Sequence, residues 1–513
     1  MPRPRVRTYL SGDCDSFMRG RGHITEVAPV PSARLGRAHG AEDRGIPAAG
    51  RDELEILADL GNRLSASVPA FRRSNQASVR LERIESLMQQ LGRPELKYPV
   101  VHVGGTSGKG SVAAIIASIL SHGGRKVGLH VSPYVHTLTE AWQLDGVNVL
   151  PSRILPVAIE VIKAARALPV TAAFGPVSYF ELKVAIAFRL FADEGVDAAV
   201  IEVGLGGERD ATNVVRPRVA VLTNVGLDHT EILGDTVEHI AADKAGIVKP
   251  GCVIVSGVQQ SSAKSVLWRK AARAGVEALI LGDEISFSSS GPELTVTWGG
   301  RELTTCLPAN WDGFQVLNAV LAIVASAEFD PGLQPATLDP GVSAVKLPAR
   351  LEVFSEAGKT IVLDGAHNAD KVAAAAEAIT SRFPDAIRAG VLALKDTKDP
   401  LPILARLAPL FSSFVLTTFT AGLWQAIPPA ELFSGLQELR YTGDVKIEAD
   451  PVKAVDAALA GTPAGGLVVV IGSLYLAGNV RGRWVPPLSE VLHGGSYSPR
   501  GPADPGERPI REP

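Results

Sequence analysis

Hydrophobic residues follow two alternating patterns along most of this chain. Short runs rich in Val and Ile are separated by longer Ala- and Leu-rich segments that repeat with a helical period. Short continuous apolar runs are typical of strands buried on both faces, and their alternation with helices is typical of βαβ units. The pattern therefore predicts an α/β fold with mostly parallel sheets. The predicted buried strands are residues 100–103, 127–131, 198–203, 219–223, 253–256, 361–363, 390–394, 414–417 and 467–471.

The predicted strands fall into two sets. Residues 285–306 alternate more weakly and carry a Gly-Gly pair, which predicts an antiparallel hairpin, and a helix is expected from residue 313 to 327. A Pro- and Gly-rich passage follows at 330–348. We therefore predict a large domain at 51–344 and a smaller C-terminal α/β domain at 345–486, with the active site in the cleft between them.

Both ends of the chain lack a sustained hydrophobic period. Residues 1–50 and 487–513 are rich in Arg, Gly, Pro and Ser. Segments of this composition bury too little apolar surface to offset the entropy of ordering. Both ends are predicted to be disordered tails.

The overall composition excludes several classes of protein. The 51 Lys and Arg residues and the 54 Asp and Glu residues leave a formal charge of -3, so no global field attracts nucleic acid or an anionic membrane. No apolar run is long enough to span a bilayer, and no signal peptide is recognised at the start. The three cysteines are far apart and outside metal-ligand spacing, which fits a reducing compartment. We expect a cytoplasmic protein that binds neither nucleic acid nor membrane.

A glycine-rich loop follows the first predicted strand. The chain reads Gly-Gly-Thr-Ser-Gly-Lys-Gly-Ser over residues 104–111 and continues as an apolar helix at 112–120. Glycines let backbone N–H groups face phosphates, the helix N-terminus adds a positive dipole end, and Lys109 can reach the outer phosphates. Strand, loop and helix together predict a phosphate-binding loop.

Polar residues follow several of the other strands. Ser132 comes after the strand at 127–131, Glu202 lies at the end of the strand at 198–203, and Asp228 and His229 follow the strand at 219–223. Ligands of parallel sheets sit beyond the carboxyl ends of the strands. Hydroxyl and carboxylate oxygens suit Mg²⁺, whereas imidazole is a less common ligand for it. These residues are the candidate metal site, although a buried acid paired with a lysine would also explain Glu202.

Lys244 falls on the apolar face of a predicted helix. Val237, Ile240, Ala241 and Ile247 define that face. A buried lysine must lose its charge or find a partner. Carbamylation by carbon dioxide would turn the amine into a carboxylate-like ligand, and a buried pair with an acid such as Glu202 is the alternative. The residues themselves leave both open.

The C-terminal domain offers two further candidate segments. Asp364 and His367 follow a strand and are preceded by Arg350. Asp364 could hold ribose or metal, and His367 could orient a phosphoryl group or transfer a proton. Ser473 follows the last predicted strand, where it is either a ligand contact or a turn residue.

These motifs resemble, in order along the chain, those of the Mur ligase superfamily, and within it the folylpolyglutamate synthase/dihydrofolate synthase family. The resemblance extends from about residue 70 to about residue 482. It implies a P-loop, Mur-ligase-like central ATPase domain and a smaller Rossmann-like C-terminal domain. The matching segments are 105–111, 202–207, 210–213, 226–229, 243–247, 363–368 and 472–475.

The resemblance implies a role for each candidate residue. The residues implied to contact ATP are Gly105, Thr106, Gly108, Lys109, Gly110, Ser111, Asn318, Arg350 and Asp364. The residues implied to hold Mg²⁺ are Ser132, Glu202 and His229. The residues implied to act in catalysis are Lys109, a carbamylated Lys244, His367 and Ser473.

The implied reaction is an ATP-dependent amide ligation. The γ-phosphoryl group of ATP passes to the carboxylate of folate or dihydropteroate, and the amine of L-glutamate then attacks the acyl phosphate. Phosphoryl transfer needs positioning and charge neutralisation more than a covalent nucleophile, and metal ions with Lys109 would supply both. We expect a monomeric enzyme that uses ATP, Mg²⁺ and these small-molecule substrates.

Several positions depart from the family pattern. Ser107 replaces Asn, Asp243 replaces Glu, Ala349 replaces Gly and Phe314 replaces His. Tyr134 stands where His is usual and Ala141 where Arg is usual, and both border the pterin-binding loop. Two alternatives therefore stay open. One is a paralogous Mur-type ligase that acts on a non-folate carboxylate, and the other is a nucleotide-binding module without catalysis.

Overall fold

Two parallel sheets organise the part of the chain that the computed structural model describes, which is residues 48–67, 81–169, 175–309, 311, 313–421 and 424–498. In the first sheet the strand order is β4-β3-β2-β5-β1-β6-β7-β8, and only β3 and β4 run antiparallel to their neighbours. Its strands are β1 (Val100–Gly104), β2 (Val127–His130), β3 (Gln143–Leu144), β4 (Val147–Asn148), β5 (Ala198–Glu202), β6 (Pro217–Leu222), β7 (Val253–Ser256) and β8 (Ala278–Ile280).

Helices cover both faces of the first sheet because its strands carry apolar side chains on both. Val101 and Val103 of β1 pack with α3 and α9 on one face, whereas Val100 packs with α2, α4 and α5 on the other. This alternation is the two-residue period of a strand. The helices of this part are α1 (Ala48–Ala66), α2 (Leu81–Gln90), α3 (Lys109–His122), α4 (Pro151–Ala167), α5 (Tyr179–Asp193), α6 (Thr230–Leu233), α7 (Val237–Lys244), α8 (Ser261–Ala274), α9 (Gly313–Phe329) and α10 (Leu338–Ser343).

A small antiparallel sheet follows β8. It consists of β9 (Ile285–Ser290), β10 (Glu293–Trp298) and β11 (Arg301–Cys306) in the order β11-β10-β9. The predicted single hairpin at 285–306 was therefore incomplete, because a second turn lies at Gly291, which has φ +60°. Leu294, Val296 and Trp298 alternate inward and join the core that contains α3 and α9.

The second parallel sheet has the strand order β12-β13-β17-β14-β15-β16, with only β12 antiparallel. Its strands are β12 (Glu352–Glu356), β13 (Lys359–Leu363), β14 (Arg388–Leu392), β15 (Ser413–Leu416), β16 (Asp444–Ile447) and β17 (Leu467–Ile471). Its helices are α11 (Ala369–Arg382), α12 (Pro400–Leu407), α13 (Pro429–Glu438), α14 (Pro451–Gly461) and α15 (Leu474–Arg481). The predicted α/β class and the predicted parallel strands are confirmed.

The predicted disordered tail at 487–513 is wrong for residues 487–498, which we call the C-terminal strap. The strap begins with α16 (Pro487–His493) and returns to the first sheet, where the Asn148 N–H donates to the Gly494 carbonyl at 2.8 Å. Tyr497 is 2% exposed and packs in the core with α3. The strap is ordered because the Tyr497 side chain packs in the apolar core around α3, outside its own segment. Residues 499–513 lie outside the described part, as do residues 1–47 of the predicted N-terminal tail.

The segment between the two parallel sheets runs from the end of α10 to the start of β12. The predicted domain boundary near residue 345 falls in this segment and stays a prediction. Within the described residues, no helix is long and apolar enough to cross a membrane.

Candidate active site

The phosphate loop has a backbone that only glycine accommodates at two positions. Gly105 has φ +141°, and a Cβ there would overlap Thr223 Oγ1. Gly108 has φ +79°, and a Cβ there would lie 2.5 Å from Asn318 Oδ1. The loop leads directly into Lys109, the first residue of α3. Its conformation therefore leaves the positive end of a long helix open at the carboxyl edge of the first sheet.

The segment after β6 holds the loop in this shape. Asn224 accepts the N–H groups of Thr106 (3.0 Å) and Ser107 (2.8 Å) through its carbonyl and side-chain oxygens. Thr223 Oγ1 donates to the Ser107 carbonyl at 2.5 Å, and the Gly226 N–H donates to Thr106 Oγ1 at 3.1 Å. Thr106 thus shapes the loop. The sequence did not single out Thr223 and Asn224, although their position directly after a strand was a signal.

Glu202 and Ser132 meet beside the loop. The Ser132 N–H donates to Glu202 Oε2 at 2.8 Å, and a Cβ on Gly110 would lie 3.4 Å from the same oxygen. Burial raises the pKa of Glu202, while the positive charge of Lys109 opposes the rise. Ser132 Oγ is buried and has no hydrogen-bond partner among the described residues. A buried carboxylate and an orphaned hydroxyl are hard oxygen donors, so this pair fits Mg²⁺.

His229 contacts other acidic residues, Asp228 and Glu231, rather than the Glu202–Ser132 pair. It adopts φ +54° before α6, and its ring nitrogens lie 3.9 Å from Asp228 Oδ1 and 3.6 Å from Glu231 Oε1. In the described part of the chain, no three His, Cys, Asp or Glu side chains gather as a metal cage. Ser132 Oγ and Glu202 are therefore the oxygen donors that the structure brings together, and the role of His229 stays a prediction.

Lys244 lies beneath the phosphate loop. It is 5% exposed at the end of α7, and its Nζ donates to the Gly105 carbonyl at 3.1 Å. Burial, followed by the charge of Lys109, lowers the pKa of Lys244 to about 7. The alternative of a buried pair with Glu202 is not found within the described residues. The amine is instead poised between its neutral and charged forms.

In the second sheet, Asp364 fixes the turn that carries Arg350. Its two carboxylate oxygens accept the N–H groups of Leu351 (2.9 Å) and Ala366 (2.8 Å). Ala349 and Leu351, on either side of Arg350, have φ +51° and +53°. The predicted contact of Asp364 with the nucleotide stays a prediction. In the structure, Asp364 stabilises this strained turn through its two hydrogen bonds.

Asp228 links the two sheets. Its carboxylate accepts hydrogen bonds from Lys398 at 2.9 Å and Asn368 at 3.2 Å, and Lys371 Nζ lies 3.5 Å away. Burial raises the pKa of Asp228, but the charges of Lys371, His229 and Lys398 outweigh burial and hold the pKa well below its ordinary value. The edge that carries the phosphate loop therefore faces the start of α11.

His367 is held in a defined tautomer at this junction. Its Nδ1 lies 2.7 Å from the Gly365 carbonyl and must donate to it, while Nε2 lies 3.1 Å from Lys371 Nζ and must accept. Burial and the charge of Lys371 lower the pKa of His367 well below its ordinary value. Sequence reasoning missed Lys371 and Lys398. Lys371 follows His367 by one helical turn, whereas no local signal marked Lys398.

Three further predicted residues lie either near the phosphate loop or at the N-terminus of α15. Asn318, in the first turns of α9, faces Gly108 and donates to Gln315 Oε1 at 3.1 Å. Ser111 is buried at the start of α3. Ser473 is the N-cap of α15, where its Oγ accepts the Tyr475 N–H at 3.1 Å. A catalytic role for Ser473 stays a prediction.

Two family models match this chain. The model described as Mur ligase middle domain matches residues 178–326, and the one described as Mur ligase, glutamate ligase domain matches residues 349–474. The folylpolyglutamate synthase of Lacticaseibacillus casei is 35% identical over 412 residues, which cover 78% of this chain and 93% of that protein. The chain belongs to the folylpolyglutamate synthase/dihydrofolate synthase family.

Further members of the family match over similar lengths. The dihydrofolate synthase/folylpolyglutamate synthase of Bacillus subtilis is 32% identical, with 79% of this chain and 94% of that protein covered. The structure of Mycobacterium tuberculosis folylpolyglutamate synthase complexed with ADP superimposes with a TM-score of 0.76 at 29% identity, covering 84% of this chain and 98% of that one. The predicted family and the predicted class, an ATP-dependent ligase of the folylpolyglutamate synthase type, are confirmed.

The segment with Tyr134 and Ala141, which the sequence analysis predicts to depart from the family pattern, lies next to the Ser132–Glu202 pair. Tyr134 packs against the core of α4 and α5, and Ala141 is fully buried with its carbonyl 2.7 Å from His130 Nδ1. The site of an arginine expected from the family is thus filled by a small apolar residue.

Proposed function

We propose that this enzyme joins L-glutamate to the carboxylate of folate or dihydropteroate through an acyl phosphate formed from ATP. Four features that lie at one edge of the first sheet support the proposal. They are the phosphate loop, the Glu202–Ser132 pair, Lys244 and the Lys371–His367 pair. Phosphoryl transfer to a carboxylate requires cations and backbone dipoles around a triphosphate, and these groups provide them. A cytoplasmic location and a monomeric state remain part of the proposal.

The nucleotide would bind across the two sheets. Its phosphates would lie on the loop from Gly105 to Ser111, within reach of Lys109. A cavity of about 570 Å³ is lined by residues of α9, of the segment between the two sheets and of the C-terminal strap, among them Gln315 and Arg350, and can receive the nucleoside. The strained turn at Arg350 supports this assignment, because such strain is kept where a side chain must point in one direction.

Mg²⁺ would be held by Ser132 Oγ and Glu202, with His229 as the third proposed ligand. The ion supplies charge neutralisation for the phosphates when it is bound. Lys244 would carry a carbamate, since carbon dioxide adds to neutral amines and the pKa of this buried lysine is about 7. The carbamate would replace a cation beneath the loop by an anion.

The proposed reaction has two steps, phosphorylation of the acid and formation of the amide. A carboxylate oxygen of the acid attacks the γ-phosphorus, and the bond to the bridging oxygen breaks, releasing ADP. The amine of L-glutamate, after loss of a proton, attacks the acyl carbon, and inorganic phosphate leaves with that carboxylate oxygen. Closure of the cleft across Asp228 would exclude water from the acyl phosphate.

A second candidate is a ligase that acts on a different carboxylate. Tyr134 and Ala141 favour it, since both depart from the family at positions that border the pterin-binding loop. A phosphate-release assay with ATP and L-glutamate separates the two candidates. We expect stimulation by dihydropteroate or tetrahydrofolate, and the absence of stimulation by either would contradict the folate assignment.

A further inference from the structure

Lys183 is a buried cation next to the proposed reaction centre. It lies in the second turn of α5, is 6% exposed, and is flanked on the helix by the buried apolar residues Leu182 and Val184. Its Nζ lies 5.4 Å from the ring centre of Tyr134, 5.5 Å from that of Tyr179 and 5.7 Å from that of Phe180. Three aromatic rings therefore surround the ammonium group.

No anion neutralises this ammonium group within the described residues. Neither an ion pair nor a hydrogen bond of Nζ is found there, and Glu202 is the acid whose charge acts on it. Cation–π contacts contribute roughly 0.5–2 kcal/mol, whereas removing a charge from water costs several kcal/mol. The rings alone do not offset the burial of Lys183. Burial lowers the pKa of Lys183 to about 8, opposed by Glu202.

The surroundings of Lys183 indicate which anion would complete the site. Tyr134 follows Ser132 at the end of β2, and Glu202 ends the neighbouring strand β5. Lys183 is thus linked to the pair that would hold the metal ion through the Tyr134 ring and through the charge of Glu202, and an acid must present its carboxylate near this pair for phosphorylation. The three rings form an apolar wall that suits an aromatic ring attached to that carboxylate.

We propose that Lys183 binds the carboxylate end of the acid substrate. The inference rests on the proposed function, because it assigns the recognition of the acid that is phosphorylated. A charge-assisted hydrogen bond from Nζ fixes the carboxylate, and the rings pack against the group that bears it. Lys183 therefore selects a carboxylate over an uncharged analogue.

The test compares Lys183→Met and Lys183→Arg with Lys163→Met, a control at an exposed lysine of α4. Three quantities are measured in steady-state turnover: KM for dihydropteroate, KM for ATP, and Ki for the carboxamide of the same acid. We expect Lys183→Met to raise KM for the acid roughly tenfold or more, without change in KM for ATP. The preference for carboxylate over carboxamide should fall by the same factor, Lys183→Arg should restore part of it, and the control should match the parent enzyme.

The outcomes separate the inference from the proposed function. If the parent enzyme turns over but Lys183→Met keeps both KM for the acid and the preference for the carboxylate, the inference about Lys183 is wrong and the function stands. A lower melting temperature with an unchanged preference also overturns it, since Lys183 would then be structural. If Lys183→Met does not fold, the same ratio is measured in Lys183→Gln, and an unchanged ratio again overturns the inference. No turnover of the parent enzyme with either pterin acid removes the function and the inference together.

Discussion

At the scale of single residues, the phosphate loop depends on space that a methyl group would fill. Gly105 has no room for a Cβ because Thr223 Oγ1 occupies that position. Gly124 also has a positive φ, +86°, but no atom lies within 4 Å of its would-be Cβ. The two glycines therefore separate the effect of a clash from that of backbone strain.

We predict that Gly105→Ala abolishes ATP binding, whereas Gly124→Ala preserves it. The alanine must push the loop away from Thr223, which removes its fixed N–H groups from the phosphates. Calorimetric titration with a non-hydrolysable ATP analogue measures the effect, and we expect affinity to fall at least about 100-fold. Equal affinity in the two variants would contradict the assignment of this loop.

Lys244 provides a test of the proposed carbamate. We predict that Lys244→Ala is inactive and is partly rescued by a short carboxylate such as acetate, which can occupy the space left by the carbamate. Because the pKa of Lys244 is lowered to about 7, the amine is neutral above this pH and protonated below it. Activity of the parent enzyme should therefore fall as the pH drops through about 7, and removal of carbon dioxide should deepen the loss.

Steady-state rates across pH 6 to 9, with and without bicarbonate, measure these effects. Added acetate should not stimulate the parent enzyme, which serves as the control. Full activity of Lys244→Ala without any carboxylate would rule out the carbamate.

The sequence predicted the candidate residues of the site better than it predicted the residues to which they form hydrogen bonds. Burial of Lys244 followed from the helical period of its neighbours, and its position on the apolar face is confirmed by its 5% exposure. Its partner, the Gly105 carbonyl, lies 139 positions away along the chain. Lys398 is separated from Asp228 by 170 positions. Such pairs arise from how the sheets face each other, which no local pattern encodes.

At the scale of elements, strand prediction succeeded because parallel strands buried on both faces leave a continuous apolar run. β17 was predicted with its final bounds, 467–471. The C-terminal strap was missed because its Pro, Gly and Ser content is typical of a tail. A single aromatic side chain, Tyr497, decides its structure by packing in the core of the first sheet.

We predict that Tyr497→Ala lowers the free energy of unfolding by about 3 kcal/mol, the usual cost of removing a buried aromatic side chain. The reason is the cavity left beside α3 and the release of the strap from β4. Denaturant unfolding at equilibrium measures the change. His493→Ala, at an exposed position of α16, is the matched control and should stay within about 0.5 kcal/mol of the parent. Equal stability of the two variants would mean that the strap is not part of the fold.

At the scale of the whole molecule, several connections join the two parallel sheets within the described residues, and three of them concern the fold and the site. One is the covalent segment from α10 to β12, the second is the C-terminal strap, and the third is the polar cluster of Asp228 with Lys398, Lys371 and Asn368. The polar cluster is the one that lies at the phosphate loop. Its ion pairs bring Lys371 and the neutral His367, which belong to the part of the chain around the second sheet, to the edge of the first sheet where the nucleotide would bind.

The two-sheet plan and the family were accessible from sequence because the motifs occur at strand ends in a fixed order. The substrate was less accessible, since the proposed recognition of the acid depends on packing between α5 and the segment after β2. Lys183 illustrates this limit. It stands in an apolar helix without any motif, and only the three-dimensional arrangement places it beside Tyr134 and near Glu202.

The proposed function depends on transfer of the γ-phosphoryl group to a carboxylate of the acid at this edge. The most direct measurement is isotope transfer, with both carboxylate oxygens of the acid substrate labelled with ¹⁸O and the released phosphate analysed by mass spectrometry. We expect one labelled oxygen in each phosphate released. In a control that lacks L-glutamate, we expect no phosphate release beyond the background of ATP hydrolysis. Phosphate that carries no label while the amide product forms would contradict it.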